Sequence, residues 1–197
     1  MLDVYREGDI VQEYPLFIKY EGENAVDEGG VRRDMLSAFW AEAYTHLFEG
    51  AKTLTPMIHP GLDMTIFPIL GRILSHGYLA CGMLPVCIAL PSLISMVLGP
   101  SVTIPSEIII ESFADYVSDV ERRTLKEALE RNEPFTYTVR AELVNILLRF
   151  GYRQVPTHSN LRSLVEQVAR YEFCAKPAAA LAFIHSGIPL NHKPFWE

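Results

Sequence analysis

The sequence predicts a mainly α-helical fold with minor β structure, on three observations. Apolar residues recur at helical spacing in about seven successive segments between Val31 and His185. Capping residues, glycines and prolines stand where those segments join. The clearest strand is Phe17 to Tyr20, inside the apolar-rich run that starts at Leu16.

Met1 to Tyr14 is short and mixed, and is expected to hold one helical turn lying against that strand. A charged loop with glycines, Glu21 to Gly30, then leads into a long amphipathic helix. Val31, Met35, Phe39, Ala43 and Leu47 recur every four residues with Leu36, Trp40, Tyr44 and Phe48 beside them, making one broad buried face. Asp27 is placed to accept from the first free amides of that helix, and Gly50 to stop it. Thr53 to Gly61 carries Pro56, Pro60 and Gly61 and reads as a loop with a little extended structure. Thr65 is expected to cap a second helix, with Pro68 in its first turn and Phe67, Leu70, Ile73, Leu74 and Tyr78 facing inward. Gly71 and Gly77 inside it cost up to about 1 kcal/mol each relative to alanine, which is tolerable where a neighbouring helix packs close.

Residues 73–106 contain no Asp, Glu, Lys or Arg. The 20 residues from Leu79 to Leu98 approach bilayer-spanning length. Gly82, Pro85, Pro91, Ser92 and Ser95 interrupt them and no Lys or Arg flanks them, so the run divides at Gly82 into two buried helices. The second opens at Pro85 and ends at Gly99-Pro100, and both are expected to pack on the Phe39 face of the first long helix. Helices this apolar need cover on nearly every side. A homo-oligomer or helix-exchanged dimer is therefore an expected partner state.

The remainder reads as helical. Pro105 opens a helix bearing Ile108, Ile109, Phe113 and Val117, and Ser118-Asp119-Val120-Glu121 is a capping box for the next, mostly solvated one. Thr138 can cap a helix with Val139, Leu143, Ile146, Leu147 and Phe150 inward, ending at Gly151. Asn160 to Ala175 follows with Leu161, Leu164, Val165, Val168 and Ala169 inward and Arg162, Glu166 and Arg170 outward. Pro177 separates it from Ala178 to His185, and the tail from Ile188 has no helical period.

With 49% hydrophobic and 21% charged residues, the 197-residue chain has the composition of a folded domain. A net charge of −7 without a basic cluster argues against nucleic-acid binding. Cys81, Cys87 and Cys174 lack pairing spacing, which suggests an intracellular, reducing location, cytoplasmic or nuclear. No phosphate loop, HExxH, CxxC or GxSxG motif occurs, and the six histidines lack ligand spacing. The expectation is therefore no catalytic residue, no cofactor and no metal. The acidic Glu21, Glu23, Asp27 and Glu28 near Arg32 and Arg33 read as a charge-satisfied loop.

One ordered set of residues says more. Ile18, Glu23, Asp27, Gly29-Gly30-Val31 and Arg33-Asp34 resemble the signature that opens the N-lobe of HECT-type ubiquitin ligases. There an apolar strand leads into a Gly-Glu, an Asp, a Gly-Gly and a basic-acidic pair on a helix. Leu70-Gly71-Arg72 resembles a second family triplet, in the right order, with Ala80 and Gly82 where the family shows small residues. The match covers residues 14 to 99 well. Residues 100 to 190, through Pro156-Thr157 and Asn160-Leu161, resemble a divergent HECT group, that of the G2/M-phase-specific ligase.

The resemblance implies an N-lobe core over 1–104, a helical second part over 105–188 and a tail over 189–197 towards a C-lobe. It makes Glu23, Asp27, Gly29, Gly30, Arg33, Gly71 and Arg72 family-signature positions of structural kind. It implies ubiquitin transfer, with an E2 ubiquitin-conjugating enzyme as partner. In the family the transfer cysteine follows a threonine ahead of a Leu-Pro pair, in a separate C-lobe. None of Cys81, Cys87 and Cys174 sits in that motif, and all three read as buried packing residues, so the chain alone is expected to be inactive. The alternative is a catalytically inactive HECT-like interaction or oligomerisation module.

Overall fold

The computed structural model describes residues 2–6 and 30–196. The expected strand Phe17 to Tyr20, the Asp27 cap and the signature positions Glu23 and Gly29 lie outside them. In chain order the described elements are α1 (Leu2–Arg6), α2 (Gly30–Leu47), β1 (Phe48–Gly50), β2 (Leu54–Pro56), α3 (Ile66–Cys81) and α4 (Leu90–Leu98). They continue with α5 (Ser106–Tyr116), α6 (Asp119–Glu130), α7 (Tyr137–Arg149) and α8 (Leu161–Arg170). A π-helical turn (Tyr171–Ala175), α9 (Ala178–Gly187) and a 3-10 tail (Leu190–Phe195) complete the set. The fold is mainly α-helical with one two-stranded antiparallel hairpin, in which Phe48 faces Pro56 and Gly50 faces Leu54.

Two apolar clusters form the interior. The first gathers Tyr5, Leu36, Trp40, Leu47, Phe67, Leu70, Ile73 and Leu74 with Leu181 and Ile184 from the far end of the chain. The second gathers Ile109, Phe113, Leu125, Leu143, Leu147, Leu164, Val168 and Phe173. Burial of each such Leu, Ile or Phe contributes roughly 1.5–3 kcal/mol. The α8 stripe predicted from sequence is buried at all five positions.

α3 occupies the middle of the first cluster, and its chief cover comes from α9 rather than from the Phe39 face of α2, where Phe39 itself stays half-buried. Glycine decides this. A Cβ on Gly71 would collide with the backbone oxygen of Ile184, and one on Gly187 with that of Pro68, so the two helix backbones touch where neither side has a side chain. Gly77 is less tightly placed: a Cβ there would first meet the side-chain end of Leu36 of α2, at 3.3 Å. The condition under which these glycines are tolerable, a neighbouring helix packed close, is met by α9 at Gly71 and by Leu36 of α2 at Gly77.

The apolar run divides at Gly82, whose left-handed φ of 66° closes α3. The next helix starts at Leu90 with Pro91 in its first turn, not at Pro85. Residues 83–89 instead run past the hairpin: Leu54 N donates to Cys87 O and Ala89 N to Leu54 O, a pairing that local pattern could not reveal. Two caps also differ. Thr136, not Thr138, accepts from Val139 N to start α7. Asp63 Oδ1, rather than Thr65, accepts at the start of α3, from Thr65 N and Oγ1. The Ser118 capping box of α6 forms as expected, with both of its reciprocal hydrogen bonds. No helix among the described residues is long and apolar enough to cross a membrane.

The backbone approach at Gly71 predicts a steep local intolerance. Gly71→Ala is expected to cost about 1–3 kcal/mol or more through overpacking, measured by urea denaturation. Gly30→Ala meets nothing within 4 Å and is expected to leave stability within about 1 kcal/mol of the parent.

Candidate functional site

α3 is apolar except along one edge, and that edge is where chemistry-bearing side chains meet. Arg72, Ser75 and His76 follow one another around it. Arg72 Nη1 donates to the carbonyl of Tyr5 at 2.9 Å, and His76 Nδ1 shares a 2.7 Å hydrogen bond with the Tyr5 hydroxyl. Ser75, fully buried, shares a 2.8 Å hydrogen bond with Nδ1 of His192 from the tail. Trp196 then packs on Tyr78 with ring centroids 4.4 Å apart. The tail, aperiodic in sequence, is thus a folded strap across α3. The N-terminal turn docks on the same helix.

Burial governs the titration of this edge. It pushes Tyr5 up to about 12, with the nearby Cys81 adding to the rise. It lowers His76, helped by His192 and Arg32, and lowers His192. Both histidines are therefore held neutral near pH 7. Ser75 and His192 have the spacing of a nucleophile and its base. Ser75 is shut inside the fold, however, and neither cleft on this side of the protein is lined by either residue. The pair satisfies two buried polar groups.

Those two clefts flank α1. One, of about 380 Å³, has a floor of Leu2, Phe39, Ala43 and Leu47 with Asp3 and Glu42 at its rim. The other, of about 440 Å³, has Met64, Pro68, Ile69 and Phe183 below Arg6 and Arg72.

A second polar constellation joins the two apolar clusters. Lys176 Nζ lies 2.7 Å from Glu49 Oε1 and donates to Glu172 Oε2 at 3.0 Å, and the Tyr116 hydroxyl reaches the same Glu172 oxygen at 3.5 Å. Burial opposes the charge on Lys176, but its hydrogen bonds to Glu49 and Glu172 outweigh burial and raise its pKa. The π-helical turn that carries Glu172 has its Phe173 carbonyl satisfied by Ser92 Oγ at 3.2 Å, and Ser92 shares a 2.8 Å bond with Thr55. Opposite, the hairpin amides of Ala51, Lys52 and Thr53 donate to the last carbonyls of α5, those of Tyr116 and Asp115.

The signature positions do not converge on one point. Gly30 opens α2 and is exposed. Arg33, one turn on, donates from Nη2 to the carbonyl of Cys81 at 3.1 Å, which places a cation at the C-terminal end of α3. Gly71 is the crossing point with α9, and Arg72 holds α1. Arg33 thus holds the C-terminal end of α3, while Arg72 reaches out from the middle of α3 to α1.

The cysteines are half-buried rather than buried. Cys81 Sγ donates to Gly77 O at 3.2 Å, and burial raises Cys174 against a lowering by Ser95 and Arg170. Among the described residues no group of His, Cys, Asp and Glu is arranged to hold a metal ion. Sequence reading missed Tyr5, Ser75 and His192. The available signal was His76, the one basic residue in an otherwise uncharged run. No family model matches the chain, and no curated protein matches it either.

Two outcomes follow from this geometry. Lys176→Met leaves the buried Glu172 carboxylate without its cation and is expected to cost about 1.5–3 kcal/mol in urea denaturation, much of it recovered in Glu172→Gln/Lys176→Met. The histidines give a pH signature. Their folded pKa values lie below the unfolded 6.5, so the unfolded chain takes up the extra protons, and stability is complete above 6.5 and falls as pH drops below it. His192→Asn should flatten the difference in stability between pH 7 and pH 5 relative to the parent. Equal slopes for both proteins would count against the assignment.

Proposed function

We propose that the chain is the helical N-lobe portion of a HECT-type ubiquitin ligase, acting in ubiquitin transfer as a docking scaffold rather than as the transferring group. The observation that carries the reading is the placement of the signature. Gly30 and Arg33 stand on α2, Leu70-Gly71-Arg72 on α3, and each described signature residue beyond Gly30 has a defined structural duty at α3. Family signatures are retained where backbone approach or helix termini require one residue type, and these positions meet that physical description. The chemistry agrees, because no cysteine here combines exposure with a group that would stabilise the thiolate.

A second reading is favoured by one observation. In the family, the subdomain that docks the conjugating enzyme carries strands and an aromatic-lined groove, whereas residues 105–155 form α5, α6 and α7 with no strand. A catalytically inactive HECT-like interaction or oligomerisation module accommodates that departure.

Affinity capture of purified ubiquitin-conjugating enzymes, charged and uncharged, separates the readings. The scaffold reading expects at least one to be retained, with no reductant-sensitive ubiquitin adduct on this chain. Failure of a broad panel to bind favours the interaction module. An adduct lost in Cys87→Ala or Cys174→Ala would overturn the assignment of a non-transferring role.

A further inference from the structure

α1 is five residues long, far below the ~12–15 residues an isolated helix needs to persist in water, so its order comes from what it touches. Tyr5 is 2% exposed while Asp3, Val4 and Arg6 face solvent. Three features of that tyrosine are recognised separately. Its ring lies 5.8 Å from that of His76, its hydroxyl bonds His76 Nδ1, and its backbone carbonyl takes the Arg72 guanidinium. The two clefts continue the seat on either side, so α1 occupies the middle of a longer groove. This is how a protein holds a bound peptide with one aromatic anchor.

None of these contacts depends on which molecule supplies the tyrosine. Residues 7–29 lie between α1 and α2 in sequence. A connection of that length can span roughly 75 Å when extended, enough to reach a neighbouring molecule. We propose that the Tyr5 socket on α3 is an exchangeable docking site, whose occupant in trans is the Leu2–Arg6 segment of a second copy of this chain. Reciprocal exchange gives a dimer in which every socket contact is the same as in the monomer. The balance then depends on concentration: a segment covalently joined to the chain that carries its socket is held at an effective concentration on the order of mM, against which the second copy competes. This inference does not rest on the ubiquitin-transfer reading.

The test uses the full chain. Light scattering over rising concentration should show the mass climbing from monomer towards dimer as the tether's effective concentration is approached. A synthetic peptide of residues 2–9 in excess should return it to monomer, and the same peptide with Tyr5→Ala should not. The full-chain Tyr5→Ala variant should stay monomeric and bind the tyrosine peptide roughly tenfold or more tightly than the parent, because its socket is empty. Tyr5→Phe keeps the ring and guards against a folding failure: it should remain folded and bind the tyrosine peptide more tightly than the parent does. A parent that is monomeric throughout overturns the proposal. So does a dimer that persists in a folded Tyr5→Ala chain, or a tyrosine peptide that fails to dissolve the parent dimer or binds Tyr5→Phe no better than the parent.

Discussion

The structure depends on one crossing. α3 carries no Asp or Glu and a single Arg, so it must be covered on nearly all sides, and the covering element has to come close. Gly71 and Gly187 make that possible by removing both side chains where α3 and α9 meet. Each glycine sacrifices up to about 1 kcal/mol of helix propensity, less than the burial gained by Leu70, Ile73, Leu74, Leu181 and Ile184 around the contact. Because α9 lies far downstream in sequence, this crossing brings the C-terminal end of the described chain to the helix on which α1 also docks. The tail then reaches Ser75 and Tyr78 by default.

Joining the two clusters is a separate problem, solved with polar groups. A purely apolar junction between the hairpin, α4, α5 and the π-helical turn would strand the backbone groups that the hairpin turn and the widened helix leave unpaired. Ser92 answers for the Phe173 carbonyl, the hairpin amides answer for the end of α5, and Lys176 answers for two carboxylates at once. Each bond contributes only about 0.5–1.5 kcal/mol net, but leaving a partner unmet costs more. The junction therefore fixes geometry more than it adds stability.

Much of the helical architecture was legible because it is written in local period and local caps. The α8 stripe, the Ser118 box and the Gly82 stop need only neighbouring residues to form. Gly71 and Gly77 announced a close approach but not to what, since Ile184 and Leu36 are distant in sequence. Pro85 and Pro91 both satisfy the first-turn rule, and the pairing of Leu54 with residues 87–89 decided for Pro91. Thr136 and Thr138 posed the same ambiguity, settled by one hydrogen bond to Val139. The tail was unreadable because its order comes from long-range partners, Ser75 and Tyr78, and not from any period of its own. For the site the sequence located Arg33, Gly71 and Arg72, yet not their duties, and Tyr5 gave no local sign of burial.

The polar edge of α3 also explains why an otherwise apolar helix keeps Ser75 and His76 side by side. An apolar residue at 76 would bury the Tyr5 ring but strand its hydroxyl, and one at 75 would do the same to His192. The two partners come from opposite ends of the described chain and meet adjacent residues of one rigid helix. His192 and Arg32 act on His76 electrostatically, and each disfavours its protonated form. The N-terminal turn and the C-terminal strap are therefore held at neighbouring positions of one rigid helix, His76 for the turn and Ser75 for the strap.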